Sequence, residues 1–125
     1  MREDYQPYFQ QLCASLTRLG YVSVRESELN AEFNLYSGWK LNFEGERYYG
    51  PMFAIFLIPP NPTENRPHGY EIGLLMQTFE ELEGKSYGQP TIEGQVEFLV
   101  QERDKIFSDS RNYDARYAVI HDAAL

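Results

Sequence analysis

The stretch FNLYSGWKLNF, residues 33–43, decides how this chain folds, because apolar and polar side chains alternate along it with a period of two. Phe33, Leu35, Ser37, Trp39, Leu41 and Phe43 fall on one side of an extended backbone, and Asn34, Tyr36, Gly38, Lys40 and Asn42 on the other. That is the signature of a half-buried strand. The phase survives Gly38, so the spacing predicts one long strand with a bulge there; a tight hairpin at Ser37-Gly38 is the alternative.

Toward the C-terminus, Glu44-Gly45-Glu46-Arg47 supplies a turn before Tyr48, Tyr49 and the run MFAIFLI, residues 52–58. That run is apolar on both strand faces, so it reads as a central strand covered on each side, or covered on one side with the other facing a partner. Residues 59–69, PPNPTENRPHG, hold four of the seven prolines and cannot sustain a ladder. They form a loop long enough to suggest a functional role. Residues 70–79 then alternate as a third strand, with Tyr70, Ile72, Leu74 and Met76 on one face, and the polar residues 80–90 make a second exposed connection.

Toward the N-terminus, Tyr5, Tyr8, Phe9, Leu12, Cys13, Leu16 and Leu19 recur at helical spacing, with Glu3 and Asp4 at the positive end of the macrodipole and Gly20 as the stop. A second helix begins at Thr91 as cap and carries Ile92, Val96, Leu99, Val100, Ile106 and Phe107. The alanine-bearing end reads as a short further helix. The expected fold class is α+β: an N-terminal helix, an antiparallel sheet of three or more strands, and one or two C-terminal helices packed on one sheet face, all in a single domain spanning 1–125.

Composition narrows the function classes. A formal charge of −8 weighs against a general nucleic-acid binder, which needs bases to displace counterions from phosphates. No apolar run is long enough to cross a bilayer and the polar first 25 residues do not read as a signal peptide, so a cytoplasmic location without membrane contact is expected. The single cysteine, Cys13, lies beside the apolar stripe of the first helix, where a thiol packs as a small hydrophobe, and it fits a reducing compartment.

No pattern for a cofactor or metal emerges. His68 and His121 stand 53 positions apart without zinc spacing, and the glycines form neither a dinucleotide fingerprint nor a P-loop. No serine occupies a nucleophile elbow. Trp39, Tyr48, Tyr49, Phe53 and Phe56 would suit a base-stacking sheet, but only Lys40 and Arg47 accompany them, so core packing or a protein interface explains them better.

Charge is uneven. Residues 71–104 hold eight acids and two bases, three quarters of the net charge in about a quarter of the chain. The leading expectation is therefore a small non-enzymatic protein that docks a basic protein partner, such as an immunity protein neutralising a bacterial toxin, or a chaperone or adaptor. Glu80, Glu81, Glu83, Glu97, Tyr87 and Tyr113 are its candidate docking groups. A different class is a small-molecule binding domain or minor enzyme, with a pocket between sheet and helices gated by residues 59–69 and lined by Trp39, Tyr49 and His68. A homodimer through residues 52–58 is the third reading.

Overall fold

The computed structural model describes residues 1–125. After a 3-10 turn at Glu3–Tyr5 come α1 (Gln6–Leu16), β1 (Tyr21–Glu26), β2 (Asn30–Leu35), β3 (Lys40–Gly45), β4 (Phe53–Ile58), β5 (Tyr70–Glu71), α2 (Ile72–Glu83), α3 (Ile92–Gln101), α4 (Arg103–Ile106) and α5 (Asp114–Ala124). The strands form one antiparallel sheet in the order β1-β2-β3-β4-β5, a meander in which each strand pairs with its neighbour in sequence. The class is α+β. Four helices rather than one or two follow the sheet, and none is long and apolar enough to cross a membrane.

The stretch 33–43 is a hairpin, not one long strand. The Leu35 N–H donates to the Trp39 carbonyl at 2.9 Å, and Gly38 takes the positive φ, 85°, that a three-residue turn needs. Leu35 and Trp39 lie on either side of that turn, four positions apart. The alternation therefore re-emerges from the turn in the same phase, and the two chain paths share one hydrophobic pattern.

One face of the sheet carries Ala31, Phe33, Leu35, Leu41, Phe43, Ile55 and Leu57, all buried. The helical layer packs on this face, and Tyr117 and His121 of α5 also come beside Phe56 of the opposite face. From α1, Tyr8 and Phe9 pack on Phe53 and Phe33 with ring centroids 5.1 and 6.1 Å apart, and Tyr5 just before it sits edge-on to Phe43. Phe107, following α4, meets Trp39 edge-on at 5.2 Å, and Tyr113 and Tyr117 close on Tyr70. One cluster of 23 buried residues results, in which each fully buried Leu, Ile or Phe contributes roughly 1.5–3 kcal/mol. In β4 only Ile55 and Leu57 are buried, while Ala54, Phe56 and Ile58 on the opposite face are half-buried, so the core lies on one side of this strand.

Residues 70–79 depart most from expectation. Only Tyr70 and Glu71 pair with β4; from Ile72 the chain is helical. The Glu71 carboxylate accepts the N–H groups of Gly73 and Leu74 at 2.9 and 3.0 Å, capping α2 at the second residue of the expected strand. Ile72, Leu75, Met76 and Phe79 then form a buried helical stripe, and α2 runs on to Glu83, so the exposed connection starts at Gly84 rather than at Glu80. Thr91 caps α3 as expected, its hydroxyl accepting the Gly94 N–H at 2.9 Å.

Candidate functional site

The acids of 71–104 gather on the helical layer, but each of the expected docking glutamates is already engaged. Glu81 pairs with Arg116 at 3.0 Å, Glu83 with Lys105 at 2.8 Å and Glu97 with Arg18, while Glu80 accepts the Tyr87 N–H at 3.3 Å. Three of these bases, Arg18, Lys105 and Arg116, lie outside the segment and bring its local balance from −6 to −3. The two tyrosines are turned to structural use. Tyr87 is half-buried and donates to Glu102 at 2.9 Å. Tyr113 is 2% exposed and donates to the Ile106 carbonyl at 2.8 Å, which removes it from any docking surface.

The alternative trio is not assembled either. Trp39 lies in the core against Phe107, Tyr49 is exposed at the β3–β4 loop, and only His68 lines a cleft beside residues 65–69. No group of three or more His, Cys, Asp or Glu stands close enough to hold a metal ion. Cys13 is half-buried with its thiol pKa pushed up by burial, the opposite of what a nucleophile requires.

What the fold leaves open is the sheet face away from the helices. Across it the cross-strand neighbours Glu32, Asn42, Phe56 and Glu71 form one row, and Asn30, Glu44 and Ala54 the next. At the β3–β4 end this face deepens into a shallow hollow of about 400 Å³, with Ala54, Phe56 and Met52 as apolar lining and Glu44 and Glu46 as its acids. Neither carboxylate has a basic partner in the protein, in contrast to Glu32, which is shared between Lys40 at 3.1 Å and Arg25 at 3.5 Å. Met52 is 62% exposed, and Tyr48 and Tyr49 beside it are 81% and 78% exposed.

This protruding loop is braced from below. The Tyr5 hydroxyl lies 2.8 Å from the Met52 carbonyl and 2.5 Å from that of Glu46, and it accepts the Met52 N–H at 3.2 Å. Arg2 donates to the Arg47 carbonyl at 3.0 Å while its other edge is held by Asp4. Two N-terminal side chains therefore fix the base of a loop whose tip carries two solvent-facing tyrosines. By sequence Tyr48, Tyr49 and Phe56 are core or interface aromatics; the period-two register of β4 puts Phe56 on the face away from Ile55 and Leu57, while Tyr48 and Tyr49 lie exposed in the loop before it.

Comparison with protein-family models, with curated protein sequences and with solved structures yields no match to this chain.

Proposed function

We propose that this is a non-enzymatic cytoplasmic binding protein whose partner is a basic protein, and that the partner docks on the open face of the sheet at its β3–β4 end. The observation that carries this reading is the hollow in which Glu44 and Glu46, without cations of their own, flank the apolar surface of Met52, Ala54 and Phe56. A lysine or arginine fits such a place at both ends of its side chain, the aliphatic stem on the apolar lining and the charged head on the carboxylates. Tyr48 and Tyr49 supply the large amphipathic contacts that dominate interface energetics. Because Tyr5 and Arg2 hold the loop in place, little ordering entropy opposes binding. The helical acids act here as a longer-range field that speeds encounter, since their close contacts are already made within the chain. Toxin neutralisation by an immunity protein is one biological form of this activity, and a chaperone or adaptor is another.

The test is capture of partners from the native host with wild type and two variants in parallel. In one, Glu44→Lys and Glu46→Lys are combined with Tyr48→Ala and Tyr49→Ala; in the other, Glu81→Lys is combined with Glu83→Lys. A stoichiometric basic protein held by wild type in a salt-sensitive manner, lost by the first variant and kept by the second, supports the proposal. Retention by the first variant overturns the placement. The absence of any stoichiometric basic protein overturns the function.

A further inference from the structure

We propose that a second site, in the cleft between residues 65–69, β4 and α5, binds a small aromatic carboxylate. The cleft has a volume of about 310 Å³, at the lower end of what small-molecule sites offer, and Arg66, His68, Tyr117, His121 and Phe56 line it. It brings together the only two histidines of the chain, from a loop and from the last helix.

Arg66 is the centre of the argument. Its side chain is 14% exposed and fixed on several sides. The Nε–H donates to Asp114 at 2.9 Å, and the guanidinium lies over the rings of Tyr117 and Tyr70, 4.6 and 5.4 Å from their centroids. Asp114 is itself held by the Tyr70 hydroxyl at 2.7 Å. None of these contacts uses the two terminal Nη groups, and no other protein atom accepts from them. A guanidinium whose Nε edge is anchored and whose remaining donors are free, on the wall of a cleft, is pre-organised for a planar oxyanion.

The rest of the lining selects the body of the ligand. His121 stacks on Tyr117 with centroids 5.7 Å apart and planes 23° from parallel, continuing the guanidinium–Tyr117 stack. Phe56 contributes an apolar surface from the sheet. Tyr117 is 1% exposed and already stacked, so the flat surfaces left to a ligand are those of His121 and Phe56, which favour an aromatic ring. Glu44 also lines the cleft, which limits the ligand to a single carboxylate seated at the Arg66 end. The site shares Glu44 and Phe56 with the proposed docking hollow but holds its anion through Arg66, which that hollow does not use, so its test reads separately from that of the basic partner.

With only two histidines, the imidazole CH signals give a direct readout by NMR. Titration with benzoate, and in parallel with acetate and inorganic phosphate, should shift both histidine signals saturably with benzoate, with acetate weaker by about tenfold for want of stacking. Arg66→Lys keeps the charge but loses the planar donor pair, and should weaken benzoate binding by roughly tenfold. Absence of a saturable benzoate shift in the wild-type protein overturns the proposal. So does phosphate binding as tightly as benzoate, or an Arg66→Lys protein with native thermal stability and undiminished affinity.

Discussion

Glu102 shows how single residues set the balance of this molecule. It is 5% exposed, yet its carboxylate receives the Tyr87 hydroxyl at 2.9 Å and the Lys85 ammonium at 3.1 Å, with Lys105 at 4.0 Å. Burial alone pushes its pKa up; the bonds from Tyr87 and Lys85 and the charges of Lys85 and Lys105 outweigh it and hold the group below its ordinary value. A carboxylate depressed in the native state stabilises fully above its unfolded pKa, and that contribution disappears as the pH falls through the native one. Glu102→Gln should therefore lower stability by about 1–2 kcal/mol at neutral pH, the worth of charge-assisted bonds replaced by neutral ones. The difference from wild type should shrink below pH 4.5, the ordinary value for this group, as the native carboxyl protonates. Urea unfolding followed by the fluorescence of the buried Trp39 measures both, and a difference that stays constant from pH 7 to pH 3 would refute the ionic account.

At the level of elements, the junction at Glu71 is the most informative. Tyr70, Ile72, Leu74 and Met76 alternate like a strand, while Ile72, Leu75, Met76 and Phe79 recur like a helix, so the same apolar residues satisfy both periods. The local cap decides: the Glu71 carboxylate takes up two amide N–H groups that a strand would have sent to a neighbour. Glu71→Ala should cost about 1 kcal/mol and raise hydrogen exchange first at Gly73 and Leu74, ahead of the middle of α2. Uniform exchange along α2 in the variant would mean that the cap does not set the helix start. Other elements were readable where one signal stood alone, as at Thr91, where a capping side chain precedes a helical stripe, and at Gly20, which has a φ of 87° after α1. The strand β1 has no such mark, because from Val22 to Glu26 it is exposed and lacks a buried alternating face. The candidate site was legible in its residue types, acids and tyrosines, but not in its position. Ion pairs such as Glu81 with Arg116 and Glu97 with Arg18 join residues far apart in the chain, and only folding shows which acids remain uncompensated.

For the whole molecule, two sets of groups bound the pH range of stability from opposite sides. On the acid side, Asp114 is pushed up by burial, but the bonds from Tyr70 and Arg66 prevail and hold it below its ordinary value, as the corresponding bonds do for Glu102. On the alkaline side, burial raises Tyr113 and Tyr117, and burial with the bond to Asp114 pushes Tyr70 up to about 12. A phenol whose native pKa is raised stabilises fully below its unfolded value near 10 and ceases to as the pH climbs through the native one. The formal charge of −8 adds a third effect, since self-repulsion eases as the pH approaches the isoelectric value of about 4.7. This repulsion is spread over the surface and is largely screened at physiological salt, where the Debye length is about 8 Å, whereas the paired carboxylates act within bonding distance. The short-range effects therefore set the edges and the net charge tilts the plateau. The urea midpoint should be highest near pH 5, decline slightly to pH 9, and fall steeply below pH 4 and between pH 10 and 12. Raising the salt concentration should flatten the slope between pH 5 and 9 while leaving the alkaline edge in place. In Tyr70→Phe, which has no phenol to ionise at that position, the alkaline fall should be shallower than in wild type. An unchanged alkaline edge in that variant would show that Tyr70 does not limit stability at high pH, and the assignment would pass to Tyr87, Tyr113 and Tyr117.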